Sequence, residues 1–158
     1  MGLDMDFSKL QPHDVLDLAI FAEEEAQEQY EQFAAIMEMG HNRYVAEFFR
    51  RMAGREKLHR DQIAERRQTL YANAKANLAN RALWGIEAPH DAKADSSTSL
   101  AAAFAIALAS ERKAHDYYAA ALQQALDATV SQLFETLRKA ELEHLRLLEL
   151  EQAKQAAR

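Results

Sequence analysis

Apolar residues recur along this chain at steps of three and four, the spacing of one helical face. Four stretches hold that rhythm long enough to be helices. The first carries Leu16 and Ile20, the second Val45, Phe49, Met52 and Ile63. The third carries Leu100, Phe104 and Ala107, and the fourth Val130, Phe134, Leu137 and Leu148. Local signals place the ends. Pro12 suits a first helical turn, Gly40 a helix end and Asn42 an N-cap. "DSSTS" at 95–99 offers a run of caps before the third helix, and "DAT" at 127–129 breaks the third from the fourth. The predicted helices cover about 12–38, 43–71, 99–126 and 129–156.

The first and third connections are short, so each joins antiparallel neighbours. The middle one, about 72–98, is long and holds Trp84, Gly85 and Pro89, with a short helix expected around Ala74 to Leu83. At roughly 3.3 Å per extended residue it can run the length of the bundle. Trp84 is expected to anchor it. The pattern predicts an all-α fold: a ferritin-like four-helix bundle of two helical hairpins joined by a long crossover, in one domain over 1–158.

Six polar residues interrupt the apolar stripes, and they repeat. Glu23 is followed by Tyr30, and the next helix carries Glu56-Lys-Leu-His59. Glu111 is followed by Tyr118, and the next helix carries Glu141-Leu-Glu-His144. Each hairpin thus offers one Glu from its first helix and a Glu-x-x-His pair, neighbours on a helix, from its second. Two other Glu-x-x-His pairs, Glu38 to His41 and Glu87 to His90, are set aside, because Gly40 and Pro89 interrupt them. His115 and Asp116, beside Tyr117 and off the stripe, read as a solvated face.

Burying four carboxylates is costly. An unpaired buried ion costs several kcal/mol, against a total stability of about 5–15 kcal/mol. No Lys or Arg lies on these stripes. Two divalent cations balance four carboxylates in charge. Carboxylate and imidazole donors suit iron or manganese, with zinc a possible occupant. The expected ligands are Glu23, Glu56, His59, Glu111, Glu141 and His144. Glu56 and Glu141 would be shared, Glu23 with His59 would serve one metal, and Glu111 with His144 the other. Tyr30 and Tyr118 are expected either to pack in the core or to donate to a ligand carboxylate and hold it in place.

Composition narrows the rest. Only 4 Gly and 2 Pro in 158 residues argue against a turn-rich β protein. The absence of cysteine excludes disulfides, thiolate metal sites and thiol catalysis. A net charge of −6 argues against nucleic-acid binding. No apolar run reaches membrane-spanning length and the N-terminus lacks a signal-peptide pattern, so a cytoplasmic location is expected.

"EEEAQEQYEQFA" with Glu23, "REKLH" with Glu56 and His59, "ERKAHDYY" with Glu111, and "AELEH" with Glu141 and His144 resemble the rubrerythrin branch of the ferritin-like superfamily. The likeness covers all four helices. It implies two iron ions reacting with peroxide or dioxygen, and a homodimer or higher homo-oligomer. Two departures stand out. Rubrerythrins usually carry a cysteine-ligated rubredoxin domain, so here a separate electron donor, such as a rubredoxin-type protein, is expected. They also usually carry a further glutamate one turn after the third-helix ligand, which helps an iron shift position. Here that residue is Ala114. The expected activity is a rubrerythrin-like peroxidase or other di-iron oxidoreductase. The alternatives are a ferroxidase or iron-handling protein, and a non-catalytic metal-binding bundle.

Overall fold

The computed structural model describes residues 5–85 and 97–158. Pro89, Glu87 and His90 lie outside them. Helix α1 spans Pro12–Met39, α2 Arg43–Tyr71, α4 Leu100–Ala121 and α5 Ala128–Ala156. A five-residue helix, α3, spans Arg81–Gly85 on the crossover. It follows a 3-10 turn at Leu78–Asn80, so the single short helix expected around Ala74 to Leu83 is replaced by these two pieces. The Asn77 side chain accepts from the amide of Ala79 and starts that turn (3.2 Å).

Side chains fix the starts of the four long helices. Asp14 accepts from the amide of Gln11 at 2.8 Å, closing the first turn of α1 behind Pro12. Asn42 caps α2 by accepting from Val45, and Ser99 caps α4 by accepting from Ala102 at 3.1 Å. Asp127 accepts from Thr129 at 2.8 Å at the start of α5. Gly40 ends α1, but its φ is −80°, and the left-handed residue of this turn is His41 at φ 62°. Helix α4 ends at Ala121, five residues short of the expected Leu126. Turning there keeps Leu122 and Leu126 against the apolar cluster around Tyr117 and Phe134, which a straight continuation would leave.

Helix α1 packs along α2 and α4 along α5, and the two hairpins meet through α1 with α4 and α2 with α5. The interior has two apolar clusters, one toward each end. One holds Phe33, Phe49, Met52, Phe104 and Leu148. The Phe49 ring lies 5.4 Å from both Phe33 and Phe104. The other holds Leu16, Ile63, Trp84, Tyr117, Tyr118, Phe134 and Leu137. In sequence, the six interrupting polar residues fall between these clusters on every helix. The molecule is an all-α, ferritin-like four-helix bundle. No helix among the described residues is long and apolar enough to cross a membrane.

Candidate metal centre

The structure brings all six polar residues together. Glu23 comes from the middle of α1, Glu56 and His59 from α2, Glu111 from α4, Glu141 and His144 from α5. The four carboxylates are 1–2% exposed and His144 is 3% exposed. His59 is less enclosed, its side chain 12% exposed.

The donors form two overlapping groups. Glu23, Glu56, His59 and Glu141 each place one ligand atom within 4.8 Å of the others, and so do Glu56, Glu111, Glu141 and His144. Glu56 and Glu141 belong to both. The His59 and His144 rings lie parallel, 5.3 Å apart, across the middle. The halves are not equivalent. His144 Nδ1 is 2.9 Å from Glu56, 3.3 Å from Glu111 and 3.6 Å from Glu141. His59 Nδ1 comes no closer than 3.7 Å to Glu23 and 3.9 Å to Glu56 and Glu141.

Two tyrosines close the site, each reaching across to the other hairpin. The Tyr30 hydroxyl donates to Glu111 and the Tyr118 hydroxyl to Glu23, both at 2.6 Å. The sequence repeat placed each tyrosine two turns beyond the glutamate of its own helix. The bundle instead pairs it with the glutamate of the opposite one, so these bonds also tie the hairpins together.

The electrostatics are those of a crowded carboxylate cluster. Burial, with Glu111 and Glu23 nearby, pushes Glu56 and Glu141 well above the usual carboxylate range, and Glu141 adds to the rise at Glu56. Burial acts the same way on Glu23 and Glu111, but their polar neighbours outweigh it. Glu56, His59 and Tyr118 hold Glu23 down, and Glu141, His144 and Tyr30 hold Glu111 down. Burial lowers His144, yet Glu111 and Glu56 together raise it to about 10.

The fit of a metal pair is tested by the atoms left without partners. Glu23 Oε2, Glu56 Oε1, both Glu141 oxygens and His59 Nδ1 are buried with no well-directed hydrogen bond, although Glu56 Oε1 lies 2.9 Å from His144 Nδ1. Buried polar atoms are normally satisfied. Here five of them belong to residues of the two four-residue groups, and three belong to the carboxylates the groups share. Six oxygen and nitrogen donor residues without thiolate match iron or manganese chemistry. The family likeness and this Glu/His cluster together suggest a di-metal centre.

Tyr117, to which the sequence pattern assigns no role, packs beside the site. The side chain is fully buried and its hydroxyl donates to the Val15 carbonyl at 2.5 Å. Its ring touches Trp84, Tyr118 and Phe134. Helix α4 is covered on this side by α3 as well as by α1 and α5, so its buried face is wider than one stripe. His115 and Asp116 do stay partly exposed, 3.1 Å apart.

The rubrerythrin family model matches residues 14–151. No curated protein matches this chain. A crystal structure of an uncharacterised conserved protein from Magnetospirillum magnetotacticum MS-1 is similar, with a TM-score of 0.72 and 26% sequence identity. The similarity covers 91% of this chain and 95% of that one.

Proposed function

The chain belongs to the rubrerythrin family, and from that premise we propose that it is a non-haem di-iron oxidoreductase that reduces hydrogen peroxide, or dioxygen, with Fe(II) electrons. The observation that carries this is the pair of overlapping four-residue groups sharing Glu56 and Glu141. In this reading Glu23 and His59 would hold one iron and Glu111 and His144 the other, with Glu56 and Glu141 available to both. When bound, the irons supply two electrons and a Lewis-acidic template for the oxidant.

The chain's own residues do the rest. Tyr30 and Tyr118 hold one oxygen of Glu111 and of Glu23; the second oxygen of Glu23 has no hydrogen bond and that of Glu111 faces His144 Nδ1 at 3.3 Å, on the side where a metal would sit. The apolar clusters on either side keep bulk water from the site. His59, the least enclosed of the six, marks the side from which a small oxidant or an incoming ion reaches the donors.

One residue favours a second reading. Ala114, one turn after Glu111, is packed partly buried against the apolar cluster and offers no carboxylate for an iron to move to. A site so limited suits a ferroxidase, which oxidises iron and passes it on. The test is to load the protein anaerobically with two Fe(II) per chain, then mix separate samples with peroxide and with dioxygen in a stopped-flow instrument. Much faster oxidation by peroxide, with iron retained, is expected. Equal or faster oxidation by dioxygen followed by iron release would favour the ferroxidase. Failure to bind iron stoichiometrically would remove both.

A further inference from the structure

The internal repeat builds the centre from two halves of the same residue types, so a difference between them belongs to this chain. Glu23 and His59 form one half and Glu111 and His144 the other, while Glu56 and Glu141 belong to both groups. Each single glutamate takes one tyrosine bond of 2.6 Å. Beyond that the halves diverge.

Their neighbours differ first. After His59 come Arg60, which turns to Glu24 of α1, and Gln62, which is exposed. At the same two positions after His144 stand Leu145 and Leu147, both packed against the apolar cluster around Phe49. Exposure follows from this. The His59 side chain is 12% exposed and that of His144 only 4%. An ion arriving from water therefore meets His59 first.

Their bonding differs too. The His144 half is closed on itself. His144 Nδ1 is in hydrogen-bond contact with Glu111 Oε2 at 3.3 Å and lies 2.9 Å from Glu56 Oε1. Glu111 thus has both oxygens engaged, one by Tyr30 and one by His144. In the His59 half, neither His59 Nδ1 nor Glu23 Oε2 has a hydrogen bond, and the two atoms lie 3.7 Å apart. Both oxygens of the shared Glu141 are also unbonded.

These differences decide which half is easier to fill. An ion entering the His59 half gains donors and breaks no bond. One entering the His144 half must first move His144 away from Glu111. A hydrogen bond to a charged group is worth about tenfold or more in an equilibrium constant. Two cations sharing Glu56 and Glu141 also repel, which weakens the second ion wherever the first one sits. Repulsion favours filling in steps, and bonding and exposure select the half that comes first.

We propose that the centre loads in order, the Glu23/His59 half first and the Glu111/His144 half second, so that below one metal per chain nearly every occupied chain holds a single ion. This rests on the di-iron reading above and adds a threshold to it. A chain with one Fe(II) has one metal electron, and reducing hydrogen peroxide to two waters takes two. His144 acts as a latch, since the second ion binds only once the ring leaves Glu111. The two-iron form should therefore appear only as iron passes one per chain.

Mn(II) added to the wild-type protein at one ion per chain is the test. Ordered loading should give a six-line paramagnetic resonance spectrum with the intensity of one spin per chain. Anomalous diffraction from crystals grown at that ratio should place manganese beside Glu23 and His59. In calorimetry the first and second dissociation constants should differ by at least about tenfold. His144→Ala should keep the first constant and lose the second ion, and His59→Ala should weaken the first by a similar factor. The diffraction result comes from wild-type protein and stands even where a variant folds poorly. Manganese beside Glu111 and His144 first, or an exchange-coupled pair filling both halves equally, would overturn the order and leave the di-iron reading. No stoichiometric binding of Mn(II) or Fe(II) in either half would overturn the di-iron reading and the order with it.

Discussion

Glu141 has both carboxylate oxygens buried without a hydrogen-bond donor. In the metal-free chain that is a loss, since each unsatisfied buried acceptor costs about 1–3 kcal/mol. Glu141→Met, similar in length and apolar, is therefore expected to stabilise the metal-free protein by about 1–3 kcal/mol in urea denaturation and to abolish binding of two metals per chain. A destabilised variant that still holds both metals would contradict the assignment. The same residues set a pH dependence. Glu56 and Glu141 have raised folded pKa values, so their contribution is complete below the ordinary value of 4.5 and is lost as pH rises through the folded values. His144, raised from 6.5 to about 10, acts in the same direction. Glu23 and Glu111 are lowered, and their contribution is lost only as pH falls below the carboxylate range. Metal binding instead requires deprotonated ligands. The gap in melting temperature between Mn(II)-loaded and metal-free protein should thus widen from about pH 5.5 to about pH 8. A gap that stays constant would show that these groups do not bind the ion. All six residues were legible in the sequence because charge on an apolar stripe is anomalous. The burial of Tyr117 was not, because it lies off the apolar stripe of α4 and is enclosed only once Trp84 of α3 packs on it.

Between elements, Arg67 is the main polar fastener at one end of the bundle. From α2 it grips Asp17 of α1 with two hydrogen bonds, of 2.8 and 3.2 Å. It also donates to the carbonyls of Tyr71 and Ala74, where α2 gives way to the crossover. Its side chain is only 12% exposed, so removing it strands a carboxylate and two carbonyls. Arg67→Met is expected to cost about 1–3 kcal/mol of stability by chemical denaturation, without changing metal stoichiometry. A cost like that of an exposed pair, under about 1 kcal/mol, would show that water replaces the guanidinium freely. Arg67 gave no sequence signal, since one arginine among several on a charged helix face cannot be told from the rest. Helix starts were easier to read than helix ends. Asn42, Ser99 and Asp127 each announce a start by a side-chain bond. The end of α4 is written in "AALQQAL", all helix formers or neutral residues, and only packing of Leu122 and Leu126 decides that it turns.

At the scale of the molecule, the bundle is two apolar ends with a charged middle. Each end can hold itself together: on one side Phe49 of α2 packs on Phe104 of α4, and on the other Tyr117 of α4, packed on Phe134, donates to the Val15 carbonyl of α1. In the middle, the described bonds between hairpins include the tyrosine pairs Tyr30 to Glu111 and Tyr118 to Glu23, set against four crowded carboxylates. Bound metal should therefore act as a staple between hairpins, placed where the fold is weakest. A ligand present at 1,000 times its dissociation constant stabilises by about 4.1 kcal/mol, which for a chain of this size raises the melting temperature by about 10 °C. Location is the sharper test. Chelating the metal is expected to speed amide exchange around Glu23, Glu56, Glu111 and Glu141, while amides near Phe49 and Phe134 keep their protection. Uniform loss along all four helices would mean that the metal only shifts global unfolding. Local loss would mean that the middle of the bundle opens on its own in the metal-free chain. That opening would give the six donors the freedom to admit an ion past otherwise closed apolar ends.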